Sequence, residues 1–138
     1  MVVLIDTNVV LDILEKRTPL YEASSEVMAY CAAGKEKGYI ALHSISNIFY
    51  ILRKRYSNEE RRKLLLGIMS FLRVTGVKHG AVRRALLREE FQDFEDCLQD
   101  ECAKEVGADY IVTRNVQDFQ NADVKAVTPE EFLEIVKK

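Results

Sequence analysis

Cysteine and histidine are scarce: the 138 residues hold three of the first and two of the second. Cys31, Cys97 and Cys102 form an odd set without C-x-x-C spacing, which leaves no basis for a disulfide framework and suits a reduced compartment. They are expected to be buried small apolar side chains. His43 and His79 lack ligand spacing, and no Ser-His-Asp or Cys-His set assembles around them. His79, in a basic stretch, reads as a surface residue. Long apolar runs are missing too. The N-terminal VVLI is far too short for a signal peptide or a membrane span and is followed at once by Asp6, so a cytoplasmic protein without membrane association is expected. There is no internal repeat and no low-complexity segment.

The length suits one domain, residues 1 to 138, with a single good core, and the composition is 48% apolar and 30% charged, as in ordinary globular proteins. The net charge of −2 hides an uneven distribution. Residues 53 to 88 carry 11 Lys and Arg against two Glu, a local balance of +9; the remainder carries 9 basic against 20 acidic residues, or −11. A basic middle flanked by acidic segments fits a phosphate-binding surface facing a carboxylate pocket. From charge alone, a pair of solvated helix faces is the plainer reading.

VVLI at 2 to 5 has the continuous apolar pattern of a strand buried on both faces, whereas VVLDIL at 9 to 14 has helical spacing. Helices are expected at 8 to 16 and 20 to 33, a short strand at 38 to 44 and a helix at 45 to 56 with one apolar stripe. Ser57 and Glu60 mark a capping box for a helix through about 72. A strand at 73 to 77, a helix through about 90, and a helix over DFEDCLQDECAKEVG closed by Gly107 follow. DYIVT at 109 to 113 is a second inner strand. A short strand near 124 to 127 precedes Thr128, Pro129 and Glu131, the signature of a final helix start. Strands alternating with helices predict an α/β sandwich with a mostly parallel central sheet.

Asp6 sits at the first strand-to-helix switch, where open parallel sheets gather ligands beyond the carboxyl ends of their strands. As a plain alternative, Asp6 or Thr7 is the N-cap of the next helix. Thr113, Asn115 and Asp118 follow the second inner strand. Asp93, Asp96 and Asp100 fall at i, i+3 and i+7 on one side of a helix, a repulsive row that is tolerated at a positive helix N-terminus or against a divalent cation. N-cap plus first-turn acid is the alternative for Asp93 and Asp96, and Asp100 reads as solvated surface. Mg²⁺ and Mn²⁺ take oxygen ligands and keep several waters, so a few carboxylates plus a substrate phosphate make an adequate site for phosphodiester hydrolysis, with no histidine or thiolate.

LIDTN at 4 to 8, DFEDCLQ at 93 to 99 and TRNVQDF at 113 to 119, in that order and spacing, resemble the PIN-domain nucleases, in particular the bacterial and archaeal VapBC-type toxins. Each motif is short; the three together span nearly the whole chain and are fairly specific. The resemblance implies a three-layer α/β/α sandwich with a mostly parallel sheet of about five strands. It also implies a Mg²⁺- or Mn²⁺-dependent endoribonuclease acting on RNA, usually a homodimer and in many members held inactive by a cognate antitoxin. By position, Asp6, Asp96 and Asp118 would hold the metal, Thr113 and Asn115 match the polar residues of the late motif, and Asn8 matches that of the first. Many members carry Glu where this chain has Asn47. An amide ligates without charge, so metal affinity is lower or Asp93 compensates; a DFED motif with this Asn fits a variant subgroup rather than decay.

In the preferred reading Asp93, Asn47 and Asn115 complete the shell or orient water, while Arg53, Lys54 and Arg55, with Arg114 beside the pocket, hold the RNA backbone. The alternative is a catalytically weak or inactive PIN domain that binds RNA or protein, which Asn47 favours. A phosphatase with an aspartyl nucleophile shares the LID start but carries a second Asp where this chain has Asn8.

Overall fold

A computed structural model describes residues 1–138. Strands β1 (Val2–Ile5), β2 (Lys37–Ala41), β3 (Leu72–Thr75), β4 (Tyr110–Val112) and β5 (Ala126–Val127) form one sheet in the order β3-β2-β1-β4-β5. Every neighbouring pair is parallel, so the strands need crossover connections. Helices α1 (Thr7–Leu14) and α2 (Leu20–Ala32) join β1 to β2, α3 (Leu42–Ile51) and α4 (Asn58–Ile68) join β2 to β3, and α5 (His79–Leu87) and α6 (Phe94–Glu105) join β3 to β4. A 3₁₀ turn at Val116–Phe119 leads into β5, and α7 (Pro129–Lys137) ends the chain.

Strand side chains alternate between two faces. Val3, Ile5, Ile40, Val112 and Val127 join one apolar cluster with residues of α1, α2, α3, α4 and α7. Leu4, Ala41, Ile111 and Ala126 join a second with residues of α5, α6 and the 3₁₀ turn. The sheet is therefore covered on both sides, giving the expected three layers. Gly38 allows tight packing at one edge: a Cβ there would stand 2.5 Å from Leu72 Cδ2 and 2.7 Å from Cys31 Sγ. All three cysteines are free and buried; burial pushes the Cys31 and Cys102 thiols up to about 11, so they are inert packing groups.

Both capping boxes form, at Ser57–Glu60 and Thr128–Glu131, and Gly107 takes the left-handed conformation (φ 65°) after α6. His79 is exposed, as expected. Two boundaries differ from the sequence pattern: α4 ends at Ile68 rather than near 72, where Leu72 already opens β3, and the start of α3 comes early. Leu42, His43 and Ser44 begin α3 rather than end β2, because the N-cap Ala41 makes no side-chain bond and so leaves no signal. No helix is long and apolar enough to cross a membrane.

Asp100 departs from the expected solvated surface. It is 0% exposed, accepts from Arg88 Nη1 at 2.8 Å, and accepts from the backbone N–H groups of Asp123 and Val124 at 2.9 and 3.0 Å. The neighbouring Glu101, equally buried, accepts from Arg88 at 2.9 Å and Arg84 at 2.8 Å. Two cations of the basic middle segment are thus committed to the α5–α6 pairing. The carboxylate of Asp100 ties α6 to the loop after the 3₁₀ turn.

Candidate active site

The strand order reverses direction at β1, whose neighbours β2 and β4 lead to opposite edges. Beyond such a switch point the flanking loops diverge and leave a crevice. Asp6 stands at its floor. Its backbone N–H still donates to Val112 O at 2.9 Å, continuing the β1–β4 ladder, while its side chain caps α1 by accepting from Thr7 N at 2.9 Å. The other carboxylate oxygen accepts from Thr113 Oγ1 at 2.9 Å, and that hydroxyl accepts from Asn115 N at 3.1 Å. Cap and pocket residue are therefore one and the same carboxylate, 5% exposed and fixed on both oxygens.

Asp93 caps α6 by accepting from Asp96 N at 3.0 Å, which brings Asp96 to the same crevice from the opposite layer. The crevice has a volume of about 410 Å³ and is lined by Asp6, Asn8, Asn47, Asp93, Asp96, Asn115 and Asp118. Thr113 is buried behind it, holding Asp6. A contiguous lobe of about 550 Å³ shares Asp93, Asp96 and Asp118 and adds the amides Gln92, Gln117, Gln120 and Asn121.

Electrostatics follow from this convergence. Burial, then the charges of Asp93, Asp6 and Asp118, push the Asp96 carboxyl up to about 7. Burial also raises Asp6, against the bonds from Thr113 and Thr7 that lower it. Mutual repulsion of this kind is what a bound cation relieves. The lining donors are carboxylate and amide oxygens without a thiolate or imidazole, which is the chemistry Mg²⁺ and Mn²⁺ select. No three acidic, histidine or cysteine side chains stand in a ready coordination set, but hard ions that retain waters and take phosphate oxygens do not require a closed cage. By donor chemistry the residues fit a divalent cation.

Ser44, Gln99, Glu95, Tyr50 and Ile51 were not singled out in the sequence, and Thr7 only as an alternative N-cap, a place that Asp6 takes. Thr7 Oγ1 donates to Ser44 Oγ at 2.7 Å, and Gln99 Nε2 donates to Ser44 Oγ at 2.7 Å and to Thr7 Oγ1 at 3.2 Å. This network locks α1, α3 and α6 together beneath the carboxylates. Asn47 Nδ2 donates to Glu95 Oε2 at 3.1 Å; Glu95, within DFED, is thus the acid beside Asn47, while Asp93 serves as the cap. Tyr50 and Ile51 also line the crevice.

The basic residues divide. Arg53 and Lys54 lie in a 3₁₀ turn at Leu52–Lys54 just beyond Tyr50, with Arg55 next, and all three are exposed. Arg55 lies 3.7 Å from Glu15. Arg114 points to the buried Asp12, 3.5 Å away, which it shares with Arg17 at 3.4 Å. Its charge still lowers Asp6, but it is turned toward α1 and does not line the crevice.

The chain is 28% identical over 139 aligned residues to the ribonuclease VapC1 of Aquifex aeolicus (strain VF5), covering 96% of this chain and 93% of that protein. Its fold is similar to that in the crystal structure of VapBC2 from Rickettsia felis bound to a DNA fragment from their promoter. There the TM-score is 0.68 at 18% identity, covering 93% of this chain and 98% of the other. A toxin–antitoxin complex from Klebsiella pneumoniae gives a TM-score of 0.69 at 22% identity, covering 92% and 97%. The family model for the PIN domain matches residues 2–117, and the chain belongs to the PIN-domain family.

Proposed function

We propose that this protein is a divalent-metal-dependent endoribonuclease, the toxin component of a toxin–antitoxin pair. The observation that carries the reading is the convergence of Asp6, Asp96 and Asp118 in one crevice, with the Asp96 carboxyl pushed up to about 7 by burial and by its acidic neighbours. Family membership and the similarity to the ribonuclease VapC1 support the same chemistry.

In this reading Asp6, Asp96 and Asp118 hold Mg²⁺ or Mn²⁺, which when bound supplies Lewis acidity toward a water and the phosphoryl group of RNA. Thr113 keeps Asp6 aimed by bonding one oxygen, leaving that carboxylate little freedom to follow a misplaced ligand. Asn8 and Asn115 offer amides for orienting water or a phosphate oxygen. Asn47 brings no charge, but it holds Glu95 at 3.1 Å, so Glu95 supplies the acid that Asn47 lacks. Arg53, Lys54 and Arg55 bind the RNA backbone, with Arg114 a further cation near Asp6. The partners in this reading are RNA, a second copy of the chain and a cognate antitoxin that covers the acidic crevice; the complex from Klebsiella pneumoniae supports the last.

The test is incubation of the purified protein with a mixed structured and single-stranded RNA pool in Mg²⁺, Mn²⁺ or EDTA, beside Asp96→Asn. Cleavage that needs metal and disappears in the variant supports the nuclease. A folded wild type that cuts no RNA in any buffer would move the reading to a binding module, the role an uncharged Asn47 favours.

A further inference from the structure

Tyr50 is the aromatic side chain of the carboxylate crevice, and it is 62% exposed. Single exposed apolar side chains are ordinary on protein surfaces, so exposure alone carries nothing. Its setting does. Tyr50 lies three residues after Asn47 on α3, and positions so spaced share a helix face, here the face that lines the crevice with the acids. The guanidinium of Arg53 stacks on the ring, 3.6 Å from its centroid, and is itself anchored by Nη1 donating to Tyr50 O at 2.9 Å. The ring is thus braced by a fixed cation while most of its area stays open to solvent. Lys54 and Arg55 follow at once, both exposed.

We propose that Tyr50 is a stacking platform for one unpaired RNA base beside the bond to be cut, with Arg53 backing the ring. The inference rests on the nuclease reading and assigns one residue of its substrate-binding surface. Every base has a π-face, so an aromatic ring next to a cationic track binds single strands with little sequence preference. Within an A-form duplex the faces are already stacked, and specific recognition turns to loops and ends whose bases splay out. Arg53 serves twice, backing the ring and adding charge for the adjoining phosphate.

The test uses the full chain in an Asp96→Asn background with Mg²⁺, so that RNA is held and not cut. The probe is a short single-stranded RNA carrying 2-aminopurine at successive positions. Stacking on Tyr50 should quench the probe at one position. Adding Tyr50→Leu should abolish that quench and weaken binding roughly tenfold, within the range for losing one base–aromatic stack, whereas Tyr50→Phe should keep both. A fully paired duplex of the same sequence should compete weakly, and equally for both proteins. Urea unfolding checks that the Leu variant is folded, and the quench in the Tyr50 protein tests the idea without any further variant. Quench at no position, unchanged affinity in a folded Leu variant, or competition by duplex as strong as by single strand overturns the inference. If metal-loaded wild type still cuts RNA in those cases, the nuclease reading survives alone. If wild type neither binds nor cuts RNA, both fall.

Discussion

Replacing Asp96 by Asn should stop RNA cleavage and, in metal-free buffer near pH 8, make the fold more stable. The Asp96 carboxyl is pushed from an ordinary 3.8 to about 7 by burial and by Asp93, Asp6 and Asp118. Each tenfold change in proton affinity is worth about 1.4 kcal/mol, so the face value is about 4 kcal/mol of destabilisation once both folded and unfolded chains are ionised. Asp96 is partly exposed, and solvent screening reduces that to about 2 kcal/mol. Losing a first-turn acid at the α6 N-terminus takes back about 0.5 kcal/mol, leaving a net gain of about 1–2 kcal/mol. The raised folded value means that the folded chain holds the proton more tightly. Wild-type stability therefore declines as pH rises from about 4 to about 7, and the variant escapes that decline. Urea unfolding of both proteins in EDTA at pH 4, 6 and 8 measures the gap, which should open across this range and narrow again when Mg²⁺ is added, because ligand binding to the folded state stabilises the wild type. A variant no more stable than wild type at pH 8, or a gap that ignores pH, would refute the convergence of charge on which the site was built.

Thr113→Val keeps the side-chain shape but leaves Asp6 Oδ2 without its donor; it should reduce stability by about 1–3 kcal/mol and lower kcat more than KM in a fluorogenic RNA assay. Arg88→Met takes the shared cation from the buried Asp100 and Glu101, leaving the first with only its two backbone N–H donors and the second with Arg84, and should lower unfolding stability by about 3 kcal/mol; thermal melting at neutral pH reads it. Burial would raise the Glu101 carboxyl, but the bonds from Arg84 and Arg88 outweigh it and hold the group low. Its contribution is therefore present above the ordinary value and lost as pH falls, so Arg88→Met should flatten the acid limb of the stability curve. Replacing Arg53, Lys54 and Arg55 together by Ala should weaken RNA binding and reduce the salt slope of log K by about 0.7 for each phosphate no longer neutralised; an unchanged slope would remove this turn from the RNA path.

The layers were legible because the chemistry that sets them is local. VVLI and YIV are continuous apolar runs, which only strands covered on both faces tolerate, and Ser57, Thr128, Pro129 and Gly107 mark helix ends through their own backbone and side-chain bonds. One end without such a bond was lost. Ala41 caps α3 without a side chain, so LHS continued the β-branched and aromatic pattern before it and read as strand.

The site divides along the same line. Asp6 and Asp93 were visible because a cap and a pocket acid occupy the same chain position, at the positive end of a helix where a carboxylate is favoured on either account. Asp100 was misjudged and Glu95 passed over because their roles are set by what lies across from them. Asp100 belongs to the same row as Asp93 and Asp96, yet Arg88 of the preceding segment and the N–H groups of Asp123 and Val124 enclose it. Glu95 gains its place only through Asn47, 48 residues away in sequence. An acid's spacing along a helix states which side it shares, and the partner that decides between solvent, structure and chemistry comes from another element. This is why the row Asp93, Asp96, Asp100 is read correctly only from its first end: the helix N-terminus fixes the first two in the crevice, and at the third the helix has already turned away from it, where the Arg88 guanidinium and two backbone N–H groups together make a buried carboxylate tolerable.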